Sequence, residues 1–282
     1  MTDNIDTTAQ SQMIDLPAGR FHYLRWGAEH TERPPIVLLH GITSSAQSWV
    51  RVGLALADRY RVYALDMRGH GDSIKSARGS YSLRQTADDA LAFIAALKLE
   101  RPVVMGHSWG GATAIVLAAG VGLQQAVPDL AGLILEDPAH AIGRSRSEED
   151  IATYTKDIGR PAAELRPEIA ASNPGWTQAD IEGKIDALQK VTREAVLGVF
   201  SAGGQAGELL PQLANIAAPT LLIRAHATLG TTLNEADWQR AQHYLPAHSR
   251  AVEIAGASHN IHRSKFAEFM QVINDFLKQE RS

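Results

Sequence analysis

Six short apolar runs, separated by stretches of helical period, constrain this chain more than any other feature. They are "PIVLLH" (35–40), "RVYALD" (61–66), "PVVMG" (102–106), "GLILED" (132–137), "TLLIRA" (220–225) and "AVEIAG" (251–256). Their apolar residues run on without regular polar alternation, the pattern of strands covered on both faces. Between them, segments 48–57, 82–97, 109–119, 235–244 and 265–277 repeat apolar residues at helical spacing. In the second of these, Leu83, Ala87, Ala90, Leu91, Ile94 and Leu97 fall on one stripe, and Ser82 or Ser80 is placed to cap it. Strands alternating with helices join through right-handed crossovers, which predicts a mostly parallel central sheet flanked by helices. "MIDLPAGRFHYLRWG" (13–27), with turn residues Pro17 and Gly19, predicts a hairpin added to the sheet edge.

One region breaks the alternation. Residues 139–207 contain no convincing strand, only helical pieces cut by Pro161, Pro167 and "NPG" at 173–175. Roughly seventy residues is too long for a plain connection. The chain therefore divides into a core of 1–138 and 208–282 and a helical cap of 139–207, inserted after the sixth strand. An insertion there lies beside the end of the sheet where ligands bind, so a lid is expected.

Composition narrows the chemistry. The 282 residues are 45% hydrophobic and 21% charged, with net charge −4 and no basic block. Nucleic acid is thereby disfavoured as a partner. Cysteine is absent, which removes disulfides, thiolate metal sites and a cysteine nucleophile together. No H-E-x-x-H cluster occurs and "RGHGDS" is not a phosphate loop, so neither metal nor cofactor is expected. The N-terminal "MTDNIDTTAQSQ" lacks a basic and an apolar region and reads as a frayed tail rather than a signal peptide. No run approaches the ~18 apolar residues of a membrane span, and a soluble, cytoplasmic protein is expected. Oligomeric state is not legible.

"GHSWG" at 106–110 fits G-x-S-x-G between a strand and a helix of small residues. A sharp strand–turn–helix needs glycines because little room surrounds a serine held in a strained conformation. It projects the Ser108 hydroxyl off the sheet and sets the Trp109 amide at a helix N-terminus, where it can face an oxyanion. A serine hydroxyl needs a base. Of eleven histidines, His259 in "AGASHNIH" lies between the last strand and the final helix, where a loop can swing its ring toward Ser108. His262, three residues on, is its local rival. "LLHGITSSAQSW" supplies another turn after a strand, from which the Ile42 amide can complete a two-donor oxyanion hole. His40 is assigned to structure, bonding nearby backbone.

"LLHGITSSAQSW", "DMRGHGDS" (66–73), "GHSWGG" and the late "GASH" resemble, in order and spacing, the α/β-hydrolase superfamily, and the chain looks like a capped serine hydrolase. The resemblance covers nearly all of it outside the tail and is weakest in the insertion. It implies Ser108 as nucleophile, His259 as base, and Ile42 and Trp109 as amide donors, with "DMRGHGDS" a structural turn. Dehalogenases and epoxide hydrolases of this fold use an aspartate nucleophile, which Ser108 argues against. The family usually takes its acid from the loop after the next-to-last strand, yet aligning Ala225 with that pattern's glycine puts Thr228 at the acid position. Some members carry the acid at the end of the preceding strand instead, where this chain has Glu136 and Asp137. Asp137, at the strand tip, is the expected acid. Glu136 should point to the other face, and Asp237, Glu235, Glu136 or a dyad without an acid remain alternatives. The bland reading of Asp137 is a cap to the turn at Pro138.

The expected activity is hydrolysis of a small carboxylic ester or lactone through an acyl-enzyme. Cleavage of a carbon–carbon bond by the same groups, or a receptor-like protein that binds and turns over slowly, are the alternatives. Apolar residues of the insertion (Ile151, Tyr154, Trp176, Leu188, Val196, Leu197 and Phe200) suggest a moderately hydrophobic substrate.

Overall fold

The computed structural model describes residues 9–27, 32–77, 79–141, 148–202 and 207–279. Eight strands form one sheet: β1 (Gln10–Leu16), β2 (Gly19–Trp26), β3 (Ile36–Leu39), β4 (Val62–Leu65), β5 (Val103–His107), β6 (Gly132–Glu136), β7 (Thr220–Ala225) and β8 (Arg250–Ile254). Their order is β1-β2-β4-β3-β5-β6-β7-β8. The first three in that order pair antiparallel and the rest parallel. All six apolar runs are strands, and the hairpin sits at the edge. It begins earlier than expected, because Gln10–Gln12 pair with Arg25–Tyr23. Those three residues are strand rather than frayed tail, and residues 1–8 lie outside the described ones.

Continuous apolar strands have a visible cause: alternate residues feed two different cores. Val37, Leu39, Val104, Leu133, Leu135 and Leu222 join one cluster with α2 (Leu83–Ala96) and α3 (Trp109–Ala119). Ile36, Leu38, Val103, Met105, Ile134 and Ile223 join the other, with α1 (Val50–Leu56) and the C-terminal helix Phe266–Gln279. Ser82 caps α2 and Gln85 bonds back to it, so the expected cap is a full capping box. α3 carries Gly110, Gly111, Ala112 and Ala114 against the sheet. A Cβ at Gly110 would lie 2.2 Å from the Leu39 carbonyl oxygen, so helix and sheet meet at backbone distance.

Between β6 and β7 the described residues hold helices and no strand: α4 (Glu148–Thr155), α5 (Ala162–Ser172), α6 (Gln178–Lys190) and α7 (Arg193–Ala202). Residues 142–147 and 203–206, near both ends of the expected cap, lie outside the described ones. Pro167 does not cut this region; it sits inside α5. Both it and Ala163, the residue one turn earlier, are exposed, so the carbonyl it cannot engage is left to water. Leu165, Ile181, Ile185 and Leu188 form a small core between α5 and α6. Ala195, Val196 and Val199 of α7 merge with the main core.

The turn after β4 is braced by Asp66. Its carboxylate accepts from the Ala46 amide (2.6 Å), His22 Nδ1 (2.7 Å) and the Asp72 amide (3.0 Å). At Gly71, with φ +47°, a Cβ would lie 1.9 Å from that carboxylate, so only glycine fits. The structural reading of "DMRGHGDS" agrees with this bracing. Burial pushes Asp66 up, but the His22 hydrogen bond and the neighbouring His40 outweigh it and bring its pKa down to about 2. A carboxyl depressed from 3.8 to about 2 contributes stability that is complete above pH ~4 and lost as pH falls toward 2, about 2 kcal/mol in size. Asp66→Asn is therefore expected to lower unfolding stability in urea at pH 7, with the gap to wild type narrowing below pH 4. A gap independent of pH would remove the carboxylate as its source.

Candidate active site

β3 and β5–β8 run parallel, so their C-terminal ends share one edge of the sheet, and the chemistry-bearing residues follow those ends. Ser108 sits between β5 and α3 with φ +53° and ψ −115°, a strained conformation for a side-chain-bearing residue. It is held there by tight packing. A Cβ at Gly106 would fall 2.3 Å from the Gly110 carbonyl oxygen, and one at Gly110 would meet the Leu39 carbonyl oxygen, so each glycine of the motif has its own reason. The Ser108 amide donates to the Glu136 carbonyl (3.0 Å) and its own carbonyl accepts from Ala112 and Ala139. Trp109 is the first residue of α3, where an amide has no acceptor within its own helix.

His259 follows β8 and Asp137 follows β6. Their side chains meet with His259 Nδ1 2.6 Å from Asp137 Oδ2. Asp137 is fully buried and leaves its strand at φ +41°, a left-handed turn that aims the side chain along the sheet edge. Three further donors from the end of β7 and the loop after it reach the carboxylate. Thr231 Oγ1 donates to Oδ1 (2.6 Å), the Thr232 amide to Oδ2 (3.1 Å) and the Ala225 amide to Oδ1 (3.4 Å). The usual acid loop thus keeps a place at the site by holding a carboxylate from the neighbouring strand. Thr228, aligned with the usual acid position, is exposed and, among the described residues, bonds His226 (3.2 Å) and not Asp137.

The rival groups are occupied elsewhere. Glu136 points away from Asp137's partners to His262, whose Nδ1 lies 2.9 Å from both carboxylate oxygens and whose amide donates to one. Burial raises the Glu136 pKa, and burial with the nearby Arg263 charge holds His262 well below its usual range. Asp237 pairs with His140 (3.1 Å) and its amide donates to Asn234, the cap of α8 (Glu235–Tyr244), and Glu235 pairs with Arg224 (2.8 Å). His40 accepts from the Met67 amide at Nε2 and donates from Nδ1 to the Gly41 carbonyl (2.8 Å), the structural role expected of it. That bond fixes the turn bearing Ile42. At Gly41 a Cβ would lie 3.3 Å from the Ser108 Cβ, so the turn lies directly against the serine. His107, the variable residue of the serine motif, donates from Nε2 to the His259 carbonyl (3.0 Å). It ties the histidine loop to the serine turn, a role its sequence position gave no sign of.

A cavity of about 170 Å³ opens among these elements, lined by Ser108, His259 and Ile42, with Trp176, Lys184 and Arg263. Of the insertion's apolar candidates only Tyr154 and Trp176 line it. Leu188 and Val196 are packed in cores, and Phe200 stacks on Tyr154 with ring centroids 4.9 Å apart. Lys184 of α6 donates to the Thr43 carbonyl and hydroxyl, both at 2.8 Å, so the insertion grips the turn beside Ile42. A larger cavity of about 500 Å³ lies at the opposite end of the sheet, near Leu99 and Arg101 ahead of β5, and holds neither Ser108 nor His259.

A serine on a strand–turn–helix and a carboxylate-held histidine line one cavity at the edge of a mostly parallel sheet. A sequence model of the alpha/beta hydrolase family matches residues 36–272, and the chain belongs to that family. N-formylmaleamate deformylase of Pseudomonas putida is 30% identical over 183 residues, covering 64% of this chain and 65% of the relative. The chain thus spans just under two thirds of that protein. 3-Oxoadipate enol-lactonase 1 of Acinetobacter baylyi is 27% identical over 259 residues, covering 87% and 89%. The crystal structure of the enol-lactonase from Burkholderia xenovorans matches with a TM-score of 0.76 at 25% identity, covering 95% of this chain and 100% of that one. Among the described residues no helix is long and apolar enough to cross a membrane.

Proposed function

We propose that this hydrolase cleaves a small carboxylic ester or lactone through an acyl-enzyme on Ser108. The 2.6 Å contact between Asp137 and His259, beside a cavity shared with Ser108, carries the reading. His259 takes the hydroxyl proton at Nε2 as Ser108 Oγ attacks the carbonyl carbon. Asp137 fixes the ring by accepting from Nδ1 and stabilises the imidazolium that forms. The oxyanion is met by the amides of Ile42 and Trp109. Collapse expels the alkoxide, which takes the proton from His259. A water then attacks the acyl carbon, giving its proton to the same nitrogen, and releases the acid and free Ser108. In a lactone the leaving alkoxide stays attached to the acyl chain.

The likeness to two enol-lactonases over most of the chain supports the lactone side of this reading. A serine at the turn does not support the alkyl-enzyme chemistry of epoxide opening. Residues 139–207 are proposed as a lid, since α6 reaches the cavity through Lys184 while Tyr154 and Trp176 also line it. The test is rapid-mixing hydrolysis of p-nitrophenyl butyrate. We expect a burst of about one p-nitrophenol per active site followed by steady turnover, with a butyryl mass on the Ser108 peptide after acid quench. One slow turnover that then stops would favour a receptor, and butyryl on another residue would sink Ser108 as nucleophile.

A further inference from the structure

Among the described residues, two basic side chains line the cavity, Lys184 of α6 and Arg263 of the short helix α9 (Ile261–Ser264), and no aspartate or glutamate does. Arg263 is 98% buried by its 2% relative exposure. Among the described residues its guanidinium has no ion pair, and Nε and Nη2 are buried without a hydrogen-bond partner. The guanidinium carbon lies 4.4 Å from the centroid of the Trp176 ring. Trp176 Nε1 is likewise buried and unpartnered. Two carboxylates nearby raise the Arg263 pKa against its burial, which nonetheless brings it down to about 10. Both are engaged elsewhere: Asp180 by Arg51 (2.8 Å) and Thr177 (2.7 Å), Glu136 by His262. A charged guanidinium out of water with two of its three nitrogens lacking an acceptor is costly to keep. Folding gains nothing evident from it, whereas an anion entering the cavity would satisfy its planar fork.

We propose that Arg263, with Lys184 in the same cavity, binds a carboxylate carried by the acyl part of the substrate. Resting on the acyl-enzyme reading, this makes the substrate a half-ester or lactone of a short dicarboxylic acid. The cavity's size fits: about 170 Å³ is below the ~300–1,000 Å³ of typical ligand pockets. The guanidinium offers up to two parallel N–H bonds, stacked on Trp176. Burial and the Arg263 charge bring the Lys184 pKa down to about 7, so Lys184 adds charge when protonated while remaining tied to Thr43, and an anion near it is held close to the Ile42 turn. The apolar residues of the insertion, which alone would suggest a hydrophobic substrate, leave both cations out of account.

The test compares monomethyl glutarate with methyl pentanoate, which match in length and differ by the terminal carboxylate. In a pH-stat, wild type is expected to favour the half-ester roughly a hundredfold in kcat/KM, as sites built to bind a polar group reject analogues lacking it. That ratio should fall to within about fivefold in Arg263→Gln and recover in part in Arg263→Lys. A purely structural role would lower both esters together and leave the ratio alone. Independently, calorimetric titration of glutarate into Ser108→Ala should show binding that pentanoate and 1,5-pentanediol do not match and that is lost in Ser108→Ala/Arg263→Gln. Equal rates on the two esters, or no glutarate binding, would overturn the subsite even if p-nitrophenyl butyrate gives its burst. If that burst fails while glutarate binds, the acyl-enzyme fails and the carboxylate subsite stands. The wild-type ratio and the first titration need no change at Arg263, so a poorly folding variant does not decide the matter.

Discussion

Ser108→Ala is expected to lower kcat/KM for p-nitrophenyl butyrate by about 10⁴–10⁶, to abolish the burst, and to leave the fold intact. The size follows from what the side chain does. Without Oγ there is no atom to carry the acyl group, and only the oxyanion donors and the cavity remain to assist attack by water. The same position carries a second, opposite expectation. Ser108 is held at φ +53° and ψ −115°, a region where Cβ crowds the backbone and glycine does not. Ser108→Gly should therefore be as inactive as the alanine variant yet raise thermal stability over it, by about 1 kcal/mol. Equal stability of the two variants would mean that the strain is absent. Residual activity in Ser108→Ala with a normal burst would move the nucleophile elsewhere.

The strands were legible because each run of "IVLL" or "LLI" kind serves two cores at once and so cannot alternate. The serine turn was legible because its glycines leave the chain no other local geometry. What depended on contacts across the sheet was less visible. Lys184 looks like any lysine on an exposed helix face, and only the docking of α6 against Thr43 brings it to the cavity. Arg263 follows a histidine loop by four residues, in a stretch too short to show a periodic face. Thr231 and Thr232 sit in "LGTTLN", a polar loop by any reading, and become meaningful only when β6 and β7 pair with Asp137 between them. Pro167 shows the converse: a local rule against helix interiors yields where the affected carbonyl faces water.

Asp137→Asn is expected to cost roughly 10³–10⁴ in kcat/KM while Thr228→Ala stays within a few-fold of wild type. The environment of the carboxylate says why the amide cannot stand in. Oδ2 accepts from both His259 Nδ1 and the Thr232 amide, and Oδ1 accepts from Thr231. If the amide nitrogen of asparagine takes the Oδ2 place, it faces two donors and forces the His259 proton onto Nε2, where a base for Ser108 is lost. If the asparagine flips, Thr231 can rotate its hydroxyl to accept from the amide nitrogen while the Ala225 amide loses its longer 3.4 Å bond, and the ring keeps its tautomer but loses the negative charge that stabilises the imidazolium. The first arrangement removes tautomer and charge together, the second charge alone, so the first should give the larger loss. Thr228, exposed and bonded to His226, touches neither arrangement. Should a well-folded Asp137→Asn retain wild-type rates, the 2.6 Å contact is structural and His259 works as a base without an acid. A large loss in Thr228→Ala instead would return the supporting role to the loop after β7.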